Sequence, residues 1–147
     1  MRGLLVVVAL FLLAACGSSG GKRLSKQEYA KRANAICARF NQQVQSFGSA
    51  NSLPQLADLA THTLPALRNA TTRLRALRPP KDEEAKAKQW MDSLDTLQTD
   101  VAKIRDLART NDLGGVRKLV PGTTADNRRS DRLADSLGAT TCSQATP

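Results

Sequence analysis

The stretch that decides the fold is residues 85–108, AKAKQWMDSLDTLQTDVAKIRDLA, because it carries the longest uninterrupted apolar pattern in the chain. Apolar side chains recur in it at alternating spacings of three and four residues, which is the period of one face of an α-helix. The members of this pattern are Ala87, Trp90, Leu94, Leu97, Val101, Ile104 and Ala108. We therefore expect a long amphipathic helix whose apolar face packs into a core, with Trp90 as a core anchor.

Two further helices are predicted before this one. Ser25 and Glu28 have the spacing of a capping box, and the helix that they open would end near Gly48. A second helix would begin at Ser52, with Pro54 in its first turn. Their apolar stripes are Tyr29, Ala33, Ile36, Phe40, Val44 and Phe47 in the first, and Leu56, Ala60, Thr63, Leu67, Ala70, Leu74 and Leu77 in the second.

Prolines are expected to interrupt the helices. Pro65 lies inside the second helix, and a proline removes one backbone hydrogen bond and crowds the preceding turn, so we expect a kink or break near Thr61 to Leu64. Pro79-Pro80 would end that helix and open the next. Pro121-Gly122 would break the chain again before a last helix, from about Thr124 to Leu137.

These stripes and their short connections predict an all-α fold, most simply an up-down-up-down antiparallel four-helix bundle with a kinked second helix. The composition agrees with this class. The chain has one Trp, one Tyr and three Phe, so its core must consist mainly of aliphatic side chains, which favours helices over sheets. Three long helices with a loosely packed C-terminal tail are the alternative.

The N-terminal residues have the parts of an export leader, with a short positive start, ten apolar residues from Leu4 to Leu13, and small residues before Cys16. A bilayer-spanning helix needs about 20 apolar residues, so this run is too short to remain as one. Leu13-Ala14-Ala15-Cys16 resembles the lipobox of bacterial lipoproteins. An ordinary signal peptide and a short N-terminal anchor are the alternatives.

The lipobox resemblance implies that residues 1–15 are removed and that Cys16 carries a lipid. Residues 16–24 would then be the lipidated cysteine and a flexible tether of about 15 Å, and residues 25–147 the helical domain. We therefore expect a protein anchored in the cell membrane, on its extracytoplasmic face, with the lipid bilayer as a partner through the acyl chain.

Cysteine parity points to the same compartment. The chain has three cysteines, Cys16, Cys37 and Cys142, and an odd count in an exported protein leaves one thiol to explain. Because lipidation uses Cys16, we expect Cys37 and Cys142 to form a disulfide that links the first helix to the C-terminal tail. A nucleophilic Cys37 is the alternative, but His62, the one histidine of the chain, has nothing local to orient it.

The two ends of the domain carry a resemblance to known proteins. The segments are Ser25-Lys26-Gln27-Glu28-Tyr29, Ala33-Asn34-Ala35-Ile36-Cys37 and Leu137-Gly138-Ala139-Thr140-Thr141-Cys142. They resemble a group of small, uncharacterised helical lipoproteins of high-GC Gram-positive bacteria. The resemblance implies a pair of bonded cysteines at the two ends of an all-helical domain, and it implies no substrate and no catalytic residue.

Positive charge is concentrated in the first half of the domain. Residues 22–81 contain 11 Lys and Arg against two acids, whereas residues 82–147 contain 10 against 11. Basic groups near an anionic bilayer each contribute about 1 kcal/mol, so we expect this half to face anionic lipid or an acidic envelope polymer. A merely soluble basic surface is the alternative. The candidate residues are Lys22, Arg23, Lys26, Arg68, Arg73, Arg75 and Arg78.

The sequence contains no glycine-rich phosphate loop and no H-E-x-x-H motif. We therefore expect no catalysis, no cofactor and no metal, and instead a cell-envelope lipoprotein that serves as an interaction or structural module. Nucleic acid is a poor partner because an exported chain leaves the cytoplasm and few aromatics are present for stacking. The alternative is a carrier or sensor that binds an apolar small molecule between helices, in a pocket lined by Tyr29, Phe40 and Trp90.

Overall fold

The computed structural model describes residues 22–144, and within them every regular element is a helix. The four long helices are α1 (Lys26–Gln45), α2 (Leu53–Arg75), α3 (Glu84–Arg109) and α4 (Leu113–Ser136). A 3-10 turn (Lys81–Glu83) precedes α3, and a one-turn helix, α5 (Thr140–Ser143), follows α4. The predicted all-helical class is confirmed for these residues, and the four long helices are consistent with a bundle.

Local signals set where the long helices begin. The Ser25 hydroxyl accepts the backbone N–H of Glu28 at 3.3 Å, and the Glu28 carboxylate accepts the N–H of Ser25 at 3.1 Å, so the predicted capping box is present. Ser52 caps α2, and Asp112 caps α4 by accepting the N–H of Gly115 at 2.8 Å. Each cap satisfies an N–H group that has no partner inside its helix.

Both interior prolines lie within continuous helices, so the expected breaks are wrong. Helix α2 runs unbroken through Pro65, and α4 runs unbroken through Pro121. Both prolines are exposed. The apolar face on either side of each proline stays on the core, which outweighs the loss of one backbone bond. The kink in α2 stays a prediction.

The main core lies between all four long helices and is centred on Trp90, which is 1% exposed. The predicted role of Trp90 as a core anchor is confirmed. Helix α2 packs against α3, α3 packs against α4, and α5 returns to α1. A smaller cluster where α2 begins and α3 ends consists of Ala57, Ala108 and Val116 with Leu53, Leu56 and Leu107.

The C-terminal segment is ordered rather than loosely packed. Helix α4 ends in a turn in which Gly138 has a φ of 77° and the N–H of Ala139 bonds to the carbonyl of Ala134 at 2.9 Å, an arrangement that favours glycine. The chain then forms α5, which brings Cys142 to α1. The predicted Cys37–Cys142 disulfide is confirmed, with 5.0 Å between the two Cα atoms.

Two asparagines of α1 also hold α5 in place. The Asn34 side chain accepts the N–H of Thr141 at 2.9 Å and donates to the carbonyl of Gly138 at 3.2 Å. The Asn41 side chain donates to the carbonyl of Thr141 at 3.0 Å. The disulfide therefore lies within a set of polar contacts that fix the same two segments.

Candidate functional site

The candidate site is the end of the folded unit at which the N-terminal segment enters it. The backbone N–H of Leu24 donates to the carbonyl of Arg78 at 2.9 Å. The Arg23 guanidinium donates to the carbonyl of Pro79 at 3.2 Å. The last residues of the predicted tether, residues 16–24, are therefore held against the connection between α2 and α3.

Ion pairs extend this attachment to the 3-10 turn and to the first residue of α3. The ammonium group of Lys26 lies 2.7 Å from one carboxylate oxygen of Glu83, and that of Lys86 lies 3.0 Å from the other. Arg23 pairs with Glu84 at 2.9 Å. The Glu83 side chain is only 8% exposed, so the two ammonium groups replace much of the water that would solvate its charge.

The pKa values at this cluster follow from the same contacts. Hydrogen bonds from Lys26 and Lys86 lower the pKa of the Glu83 carboxyl, and the Glu83 carboxylate raises the pKa of Lys26. Glu83 and Glu84 also lie at the N-terminus of α3, where the helix dipole favours negative charge. Their contacts with Lys26 and Arg23 were missed because the partners lie more than 50 residues away in the chain.

The seven basic residues chosen from the sequence do not form one uncompensated surface. Arg23 is paired with Glu84 of α3 and Lys26 with Glu83 of the 3-10 turn, as described above. Arg75 of α2 pairs with Asp95 of α3 at 2.8 Å. Arg78 lies exposed in the α2–α3 connection. The three that are exposed and have no carboxylate within 4.0 Å in the described part of the chain are Lys22, Arg68 and Arg73.

Arg68 and Arg73 both lie on α2, but at different distances from the entry end and on different faces of the helix. Arg73 lies in the last turn of the helix, near the entry point of the chain. Arg68 lies about 7 Å further from that end and about 140° around the helix from Arg73, at 1.5 Å and about 100° per residue. Lys81, which was not chosen from the sequence, is exposed in the 3-10 turn and has no carboxylate within 4.0 Å among residues 22–144. We call Lys22, Arg73 and Lys81 the open cations.

Two concave sites lie away from this end. One has a volume of about 470 Å³ and contains Phe47 and His62, whose ring centroids are 5.7 Å apart. The other, of about 680 Å³, is lined by residues of α3 and α4. The pocket expected for an apolar ligand does not coincide with either, because Tyr29 and Trp90 are packed in the core at 2% and 1% exposure.

The leader and Cys16 lie outside the described residues, so lipidation of Cys16 stays a prediction. Within residues 22–144, no helix is both long enough and apolar enough to cross a bilayer. The same residues contain no group of three or more His, Cys, Asp and Glu side chains that could hold a metal ion. Comparisons with protein-family models, with curated proteins and with solved structures found no match for this chain.

Proposed function

We propose that this protein is a non-catalytic lipoprotein of the cell envelope, an interaction or structural module held at the extracytoplasmic face of the membrane through lipidated Cys16. Its helices form an up-down-up-down antiparallel bundle in this proposal. The basic half of the domain lies next to the membrane and faces anionic lipid or an acidic envelope polymer.

The observation that carries the proposal is the attachment of residues 23–26 to the start of α3 and to the α2–α3 connection. Five residues, 17–21, separate Cys16 from Lys22, and a Gly/Ser-rich segment of that length has an end-to-end distance of about 12 Å. A lipid on Cys16 would therefore hold this end of the domain close to the headgroups.

The disulfide gives independent support. Structural disulfides form and persist in oxidising compartments, and the Cys37–Cys142 bond occupies two of the three cysteines. Cys16 is then the one cysteine that remains for lipidation. Three contacts support the bundle topology. Leu24, just before α1, bonds to Arg78 in the α2–α3 connection, and Lys26 of α1 pairs with Glu83 of the 3-10 turn. Helix α5 packs against α1.

The test is the intact mass and location of the protein in its native host. We expect a membrane-associated product that begins at Cys16 and carries the added mass of a lipid. Cys16→Ser should abolish that mass and release the protein from the membrane, whereas Ser18→Ala, a matched change just outside the lipobox, should leave both unchanged. A full-length product that begins at Met1 and stays in the cytosol would contradict the proposal.

A further inference from the structure

We propose that the open cations, Lys22, Arg73 and Lys81, form a docking surface for anionic phospholipid headgroups and orient the domain with its α2–α3 end on the bilayer. This inference rests on the proposed function, because the lipid on Cys16 supplies the proximity that such a weak surface needs. It goes further by naming the groups that contact the membrane and the part of the domain that points away from it.

The first step is that pairing removes several cations from consideration. Arg23, Lys26 and Arg75 each have a carboxylate oxygen within 2.9 Å, and phosphate groups would have to displace those carboxylates to reach them. The open cations have no carboxylate within 4.0 Å among the described residues and are exposed. They can therefore approach a phosphate without breaking an internal ion pair.

The second step is that the open cations share one end of the domain. Lys22 precedes the two residues that bond to the α2–α3 connection through the carbonyls of Arg78 and Pro79. Arg73 lies in the last turn of α2, and Lys81 opens the 3-10 turn two residues after Pro79. Residues 1–21 also join the domain here, at Lys22. The open cations therefore lie around the point at which the chain enters.

The third step is the difference in charge between the two ends. Residues 22–28 and 73–86, at the entry end, contain eight Lys and Arg against four Asp and Glu. Residues 46–58 and 106–118, at the end where Ala57 packs with Ala108 and Val116, contain three Lys and Arg against three Asp and Glu. Of these two ends, only the entry end therefore carries an excess of positive charge, even after Arg75 is set aside for its pair with Asp95.

The distance between the two ends makes this difference effective. Helix α2 has 23 residues and is therefore about 33 Å long, which is about four Debye lengths at physiological ionic strength. Charges at one end are thus screened from a bilayer at the other. An anionic bilayer attracts the entry end only, and the short chain to Cys16 holds that end at the surface at high effective concentration.

The experiment uses the protein purified from its host and incorporated into vesicles, with lysine reactivity toward an amine-acylating reagent read by mass spectrometry. We expect Lys22 and Lys81 to react several-fold more slowly in vesicles containing phosphatidylglycerol than in phosphatidylcholine vesicles at low salt. High salt should restore their reactivity. Lys118, exposed near the start of α4, should react equally in all conditions and serves as the internal control.

Paired variants make the test sharper. Each basic group near an anionic surface changes the docked-to-undocked ratio about fivefold. Arg73→Gln/Lys81→Gln should therefore lower that ratio about 30-fold and remove the protection of Lys22. The matched Arg117→Gln/Lys118→Gln variant removes the same charge from exposed residues of α4 and should leave Lys22 protected. Thermal unfolding of both variants should match the parent, which excludes misfolding as the cause.

Three results would overturn the inference. First, Lys22 and Lys81 could react without protection in both kinds of vesicle. Second, they could be protected to the same extent in both kinds of vesicle. Either result would exclude recognition of the anionic headgroup. They could instead be protected only by an added acidic polymer, which would make the polymer the partner. The mass at Cys16 is read from the same sample. A product without lipid would count against the proposed function, whereas a lipidated product in which Lys22 and Lys81 are not protected would count against this inference alone.

Discussion

Reduction of the Cys37–Cys142 disulfide should lower the free energy of unfolding by an amount that the separation of the two residues sets. The bond joins residues 105 positions apart. The chain-entropy model gives about 4.8 kcal/mol at 25 °C for a loop of that length, because the cross-link restricts the unfolded chain. At about 2.1 cal/mol/K of unfolding entropy per residue, a domain of this size should lose about 18 °C in Tm.

The assay is urea unfolding of the protein with and without reductant, because reduction keeps both sulfur atoms and removes only the bond between them. The urea dependence of the unfolding free energy should become steeper in the reduced form, since a chain without the cross-link exposes more surface when it unfolds. Its native spectrum should not change, because Asn34 and Asn41 still bind α5. A loss smaller than about 1.5 kcal/mol with an unchanged urea dependence would refute an effect on the unfolded state.

Three further predictions concern single positions. Asn34→Ala removes two side-chain bonds to the C-terminal segment and should cost about 1 to 3 kcal/mol in urea unfolding; an unchanged midpoint would show that these bonds contribute nothing. Gly138→Ala should lower the free energy of unfolding more than Gly48→Ala. Both glycines have a φ of 77°, but only at Gly138 would the new Cβ meet another side chain, 3.1 Å away. Equal losses of unfolding free energy would assign the whole cost to backbone strain. Hydrogen bonds from Lys26 and Lys86 lower the pKa of Glu83 below its ordinary 4.5. The stabilisation by Glu83 is therefore present above about pH 4.5 and is lost as the pH falls through the lowered value. Glu83→Gln should flatten the acid limb of a plot of Tm against pH, whereas Glu84→Gln, which changes an exposed acid, should not.

The features that the sequence predicts correctly depend on neighbouring residues or on counting. Ser25 and Glu28 are three positions apart, and a cap needs only that spacing and a following apolar stripe. The disulfide follows from cysteine parity, and burial of Trp90 follows from its place in a regular stripe.

The features that the sequence does not predict depend on distant residues. Continuity of α2 through Pro65 depends on how much apolar surface the rest of that helix buries against α3, which the local sequence does not contain. The contact of Asn34 with Thr141 joins residues 107 positions apart. For the seven basic residues chosen from the sequence, the net charge of the segment indicated attraction to an anionic surface, but Lys26 has its carboxylate partner 57 residues later in the chain. Charge counted along a sequence therefore overstates the cations that remain open in the fold.

The attachment of residues 23–26 also determines how the domain responds to mechanical force. Tension applied through the residues before Lys22 would act on the Leu24–Arg78 bond and on the ion pairs of Arg23 and Lys26 together, because all three join the same short segment to the body. If they rupture, α1 can unwind only as far as Cys37, where the covalent bond to Cys142 stops the extension. Cys37 lies 12 positions after Ser25, so a strong pull would lengthen the tether by about 40 Å while the rest of the domain stays folded.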